Sequence, residues 1–123
     1  MDIVLDQFPI NKMRQAIIKY NNIIAGLLSE LENGEYKFEY DQYYIQNFPK
    51  DFITFNLPVS NCAFISKNLF PFFDGLIPEG WLLNIAVESW KINSKDRMGL
   101  LLSCCKNAIG AVSVHLVNEN NNE

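Results

Sequence analysis

Two asparagine-centred breaks constrain the first third of the chain more than any other feature. Between Ala16 and Tyr40 the sequence reads "AIIKY", Asn21-Asn22, "IIAGLLSELE", Asn33-Gly34, "EYKFEY". Asn-Gly between two strand-like runs is the strongest short hairpin signal, because a type I′ turn needs positive φ at both central residues. Asn21-Asn22 is a weaker version of the same signal. In "EYKFEY", Tyr36, Phe38 and Tyr40 share one face while Glu35, Lys37 and Glu39 share the other, the signature of a half-buried antiparallel strand. A three-stranded meander is therefore predicted.

The period changes further on. "DQYYIQNFP" reads as a short helical turn or loop, and "DFITFNLPV" as one more extended run before Pro58. Ser66 can cap a short helix through about Asp74, limited by Pro71 near its start. A loop follows at 75–77. Pro78 suits the first turn of a new helix and Glu79 its positive end, and this helix should run to about Trp90. Ser94 is placed to cap a third helix, in which Met98, Leu101, Leu102 and Cys105 recur at helical spacing. Gly110 leads into "AVSVHLV", a strand with Val112, Val114 and Leu116 expected inward. Strands, then helices, then a strand argue for an α+β domain: a small antiparallel sheet, made of an N-terminal β-meander plus a C-terminal strand, packed with about three short helices. The domain is expected over 16–117, with an N-terminal extension over 1–15 and a disordered polar tail over 118–123.

The 123 residues are enough for one domain with a core of its own. The hydrophobic share, 49%, is that of a globular chain. A net charge of −4 argues against a phosphate-binding surface, so direct nucleic-acid contact is not expected. Cys62, Cys104 and Cys105 are odd in number and include an adjacent pair, which does not suit a secreted disulfide framework. They read as reduced, small apolar residues. The start "MDIVLDQFPINKMRQ" lacks a basic n-region, and no apolar run reaches the roughly 18 residues of a membrane span. A soluble, cytoplasmic protein is expected.

Catalytic patterns were sought and none stands out. The single histidine, His115, falls on the outward face of the last strand with no carboxylate or nucleophile near it in sequence, and reads as a solvated residue. No glycine-rich phosphate loop, H-E-x-x-H or G-x-S-x-G pattern occurs. Glu30, Glu32, Glu35, Glu39 and Asp41 alternate with apolar residues and read as a solvated strand face. No enzyme, cofactor or metal site is expected.

The stretch "FPFFDGLIPEGWLLN", Phe70–Asn84, is denser in information. On the helix expected after Pro78, Leu82, Leu83, Ala86, Val87 and Trp90 cluster on one side, while Trp81 projects from nearly the opposite side with Ile85 near it. Trp81 either packs under the 75–80 loop of its own domain or stands out as an anchor for a partner, a position in which Trp is enriched.

From about Ala16 to Val117 the chain resembles the small N-terminal subdomain of HipA toxin kinases. The matching pieces are Gly26-Leu27 and Asn33-Gly34, "FEYD" (38–41), "LPV" (57–59), "FFDGLIPEG" (72–80), "LLS" (101–103) and "IGAV" (109–112). The kinase core that follows this subdomain in HipA has no counterpart here: there is no catalytic loop and no metal-binding aspartate motif. In this the chain is similar to the HipS components of HipBST toxin–antitoxin systems. Three departures are visible. Cys105 stands where the family often has glycine, "FITFN" replaces a more serine-rich strand, and residues 1–15 have no clear counterpart.

The resemblance implies an antitoxin that binds a separate HipT-like serine/threonine kinase and inhibits it by blocking or distorting its ATP site with the 75–85 segment. The partner-binding residues expected are Asp74, Ile77, Pro78, Glu79, Gly80, Trp81 and Ile85. A HipB-like DNA-binding protein is a further expected partner in a ternary complex. The alternative is a scaffold that bridges the kinase to that repressor without inhibiting it.

Overall fold

The computed structural model describes residues 13–77, 96–105 and 109–117. The helix expected from Pro78 to Trp90, its apolar stripe, the Ser94 cap site and the tail lie outside these residues.

A five-stranded antiparallel sheet packed with three helices forms the described part. Strands β1 (Gln15–Tyr20), β2 (Ile23–Glu30) and β3 (Tyr36–Tyr40) make the expected meander. Helix α1 (Gln42–Asn47), β4 (Phe64–Ser66), α2 (Pro71–Asp74), α3 (Arg97–Cys104) and β5 (Val112–Leu116) follow. The spatial order is β4-β3-β2-β1-β5, so β4 and β5 are the edges. One face of the sheet carries Ala16, Ile18, Leu28, Phe38, Tyr40 and Val114, all buried. Tyr44 of α1, Phe73 of α2, and Met98, Leu100 and Leu101 of α3 join them in one core. Burying each such large side chain stabilises by about 1.5–3 kcal/mol.

The two turns exchange the roles that the sequence suggests. Asn21 (φ 53) and Asn22 (φ 67) are both left-handed and form the tight β1–β2 turn. At Asn33-Gly34 only Gly34 has positive φ, at 91. β2 stops at Glu30, and residues 31–35 form a wider loop closed by the Leu31 N–H on the Glu35 carbonyl and the Gly34 N–H on that of Leu31. A wider loop needs one left-handed residue, not two.

Several expected boundaries shift for identifiable reasons. Ser66 does not cap a helix; it ends β4, and α2 begins at Pro71 itself. Proline presets the first helical φ and pushes the residue before it to extended backbone, as Phe70 shows (φ −54, ψ 134). The extended run over 51–59 is instead a loop with one isolated bridge, Thr54 to Leu57. Its backbone is held by side chains: Tyr40 donates its hydroxyl to the Leu57 carbonyl and accepts the Ile53 N–H (3.1 Å), while Tyr44 donates to the Asp51 carbonyl (2.6 Å). The third helix is capped by Asp96, through Oδ1 on the Gly99 N–H at 3.1 Å. Leu116, expected inward, is 51% exposed at the end of an edge strand. Val112 and Val114 lie inward, and the Val114 N–H bonds the Cys105 carbonyl at the end of α3 (2.8 Å). Of the cysteines read as small apolar residues, Cys62 is exposed and Cys105 is buried.

Arg14 ties three elements together. Its Nε and one terminal nitrogen grip Glu30 at 2.8 and 2.9 Å, and its two terminal nitrogens reach Asp96 at 3.1 and 2.8 Å. The backbone N–H of Arg14 adds a bond to the same Glu30 carboxylate (2.9 Å). Each carboxylate thus accepts a bidentate, charge-assisted pair, and the two together raise the guanidinium's proton affinity further. The fit depends on Gly99, where a Cβ would lie 2.4 Å from Asp96 Oδ2. Arg14→Gln removes the cation that the largely buried Glu30 and Asp96 share. We expect a loss of about 1–3 kcal/mol, tempered by the partial exposure of Asp96, read as a lower midpoint in urea unfolding.

Gly26 is a close approach of the same kind. A Cβ there would meet the Glu39 carbonyl at 2.4 Å and the Phe38 ring at 2.7 Å. Because the Glu39 obstacle is backbone, Gly26→Ala should cost about 1–3 kcal/mol by overpacking, measurable as a fall in Tm with the helical circular dichroism retained.

Candidate functional site

An apolar groove lies at the β4 edge of the described residues. It has a volume of about 550 Å³ and is lined by Thr54, Asn56 and Leu57 of the loop, Phe64, Ile65 and Ser66 of β4, and Phe70, Pro71 and Phe72 around the start of α2. One wall is positioned by the Tyr40 hydroxyl, which pins the loop at Ile53 and Leu57. The opposite wall rests on Phe73, fully buried against Phe38, Phe70 and Phe72 at centroid distances of 5.6, 6.1 and 5.2 Å. Nearby, Phe55 is 80% exposed, with Phe52 edge-on against it. The described lining offers shape, apolar surface, the hydroxyls of Thr54 and Ser66 and the amide of Asn56, a set suited to binding an apolar segment.

The sequence-based site residues divide sharply. Pro78, Glu79, Gly80, Trp81 and Ile85 lie outside the described residues. Asp74 ends α2, and its Oδ1 accepts a hydrogen bond from Arg97 Nε at 2.6 Å. Both side chains are about a third or more exposed, so the pair is worth under about 1 kcal/mol to stability. Its effect is geometric: it brings residue 74 beside residue 97, at the start of α3. Ile77 is buried, and its N–H bonds the Asp74 carbonyl (3.2 Å) in the turn that follows α2. The structure thus brings Asp74 and Ile77 together with the end of the groove wall.

Arg97 and the groove went unseen in the sequence. No local spacing announces that residues 54–57 meet 64–66, because the loop is folded by distant tyrosine hydroxyls. The side chains of two expected bystanders are engaged. Glu30, read as part of a solvated acidic face, is the main partner of Arg14. His115 is half-buried, with Nε2 2.8 Å from Ser113 Oγ. Burial, and then the charge of Lys19, lower its pKa. Among the described residues no cluster of His, Cys, Asp and Glu could hold a metal ion, and no helix is long and apolar enough to cross a membrane.

This arrangement is a small α+β domain with an aromatic edge groove, and its architecture has a known counterpart. It superposes on the N-terminal domain of HipA toxin with a TM-score of 0.67 at 23% identity, covering 97% of this chain and 98% of that one. An uncharacterised protein of Haemophilus influenzae is 35% identical over 89 residues, which is 72% of this chain and 79% of the relative. Residues 16–115 match the HipA N-terminal domain family. The chain belongs to that family and is a HipS-like, HipA N-terminal-subdomain-like protein. Membership associates it with toxin–antitoxin systems.

The tyrosines beneath the groove give the domain an alkaline limit. Burial pushes the Tyr44 phenol up to about 12, with Asp51 adding to the effect. Tyr36 and Tyr40 are raised as well, chiefly by burial. An unfolded tyrosine releases its proton near about pH 10, so the folded form retains protons that the unfolded form loses. This stabilisation is fully present below about pH 10 and disappears as pH rises toward the folded values. Urea midpoints should therefore hold steady up to about pH 10 and drop above it, while the phenolate absorbance of these three tyrosines should rise at higher pH in the folded chain than in the chain unfolded by urea.

Proposed function

We propose that the chain is an antitoxin that binds a separate HipT-like serine/threonine kinase and inhibits it, blocking or distorting the ATP site with its 75–85 segment. The observation that carries this reading is the extent of the family match. The HipA N-terminal domain accounts for residues 16–115, and 79% of the Haemophilus influenzae relative aligns with this chain, so that protein too is made mostly of this domain. In that relative the domain leaves no length for a kinase core, and a copy of that kind suits a partner of the kinase. Asp74, Ile77, Pro78, Glu79, Gly80, Trp81 and Ile85 are the proposed contact segment. The buried Ile77 and the Asp74–Arg97 pair support it by holding the described start of that segment in place.

The net charge of −4 favours one element of the second reading, in which a HipB-like protein supplies the DNA contact and this chain bridges it to the kinase. Phosphorylation assays with purified kinase separate the two. Inhibition predicts that autophosphorylation falls as the chain is added, whereas a pure scaffold leaves it unchanged, and a split-enzyme subunit raises it. Trp81→Ala should keep the fold and weaken inhibition. Loss of a buried aromatic anchor costs about 2–4 kcal/mol, or about thirty- to a thousandfold in Kd. If Trp81→Ala unfolds the domain while its folded fraction inhibits fully, Trp81 is a core residue and the proposed contact is wrong.

A further inference from the structure

The sheet has a second face, and the three described helices send their buried side chains to the first. Across the second face, Ile17 lies between Leu27 and His115, and in the next row Lys19 lies between Ile24 and Ser113. Ile24 is 44% exposed, and Ile17, Ile24 and Leu27 line a shallow groove of about 430 Å³ whose other side carries the carboxylates Glu39 and Asp41. An antiparallel sheet can leave one face to water, but such a face is ordinarily polar. This one has a branched-aliphatic strip at its centre, flanked by the basic Lys19 and by Lys37, which pairs with Glu39 (3.4 Å).

We propose that this strip is the docking surface for residues 1–12 of the same chain. Three observations select that occupant. First, the described chain begins at Met13, four residues before Ile17 of the strip. Arg14 is fastened to Glu30 at the start of β1, and Met13 has φ 22, so the chain does not continue β1 in a straight line. Second, the length suffices: twelve extended residues reach up to about 40 Å, whereas the strip ends about 20 Å along the strands from Met13. Third, the chemistry matches. "MDIVLDQFPINK" offers Ile3, Val4, Leu5, Phe8 and Ile10 to the aliphatic strip, and Asp2 or Asp6 to Lys19, which lies across β2 from the groove carboxylates Glu39 and Asp41.

His115 is the single histidine of the chain and sits in the strip's middle row, so its carbethoxylation by diethyl pyrocarbonate reports coverage at one position. The full-length chain is compared with Val4→Asp/Leu5→Asp, changed only within the docking segment, and with Ile24→Glu, changed only at the exposed strip residue. Circular dichroism confirms that each variant is folded. Docking predicts slow modification in the full-length chain and severalfold faster modification in both variants, with hydroxyl-radical labelling of Ile17 and Leu27 rising in parallel in the segment variant. Equal rates in all three overturn the proposal and mean a solvated face. Protection that fades on dilution, with a dimer by sedimentation, overturns it in favour of a second copy. Protection that appears only when a partner kinase is added overturns it in favour of that partner.

Discussion

A single guanidinium decides how the two halves of this domain meet. Arg14 precedes the first strand, Glu30 ends the second, and Asp96 opens the helix that packs beside the last strand. One planar cation with five donors can satisfy two carboxylates at once, which lysine cannot do. Asp96 in turn spends an oxygen on the Gly99 N–H, so helix capping and sheet closure share an atom group. The helix start is therefore fixed relative to the hairpin by directional bonds and not only by apolar contact.

Tyrosine plays the corresponding part at the other end of the sheet. Tyr40 and Tyr44 stack at 5.9 Å, and their hydroxyls leave the core to hold residues 51–57. Burial of these rings and the shape of the edge groove are thus one arrangement. An aromatic ring supplies core volume while its hydroxyl reaches a backbone group that has no strand partner. The groove wall inherits the rigidity of the core in this way, although its chain is irregular.

Local patterning made much of this legible. The meander followed from alternation and turn residues, and β5 from "AVSVHLV", because a half-buried strand writes its pleat into the sequence. Tyr36, Phe38 and Tyr40 were assigned to one face on that basis, and the register bears it out. The misplacements fall where a distant partner replaced a local rule. Ser66 looked like a cap, but β3 recruited it into β4. Residues 51–59 looked extended, but tyrosine hydroxyls took their backbone bonds. The Asp96 cap of α3 is likewise held by Arg14, from the far end of the sequence. The groove was illegible for the same reason: its walls come from segments that no sequence period relates. Of the site residues, Asp74 and Ile77 could be compared with the fold, and both lie where α2 ends.

The wider loop at Asn33-Gly34 has a chemical consequence. An Asn-Gly step in a free peptide is prone to deamidate, since the glycine nitrogen can attack the asparagine side-chain carbon, closing a succinimide and expelling ammonia. Here the Asn33 amide is engaged on both sides, donating to Glu35 Oε1 and accepting the Glu35 N–H, each at 3.0 Å. The attacking nitrogen of Gly34 is itself tied to the Leu31 carbonyl at 2.9 Å. The fold thereby shields its most age-sensitive peptide bond, and a chain that has opened at this loop acquires a lasting extra negative charge as the record of having done so.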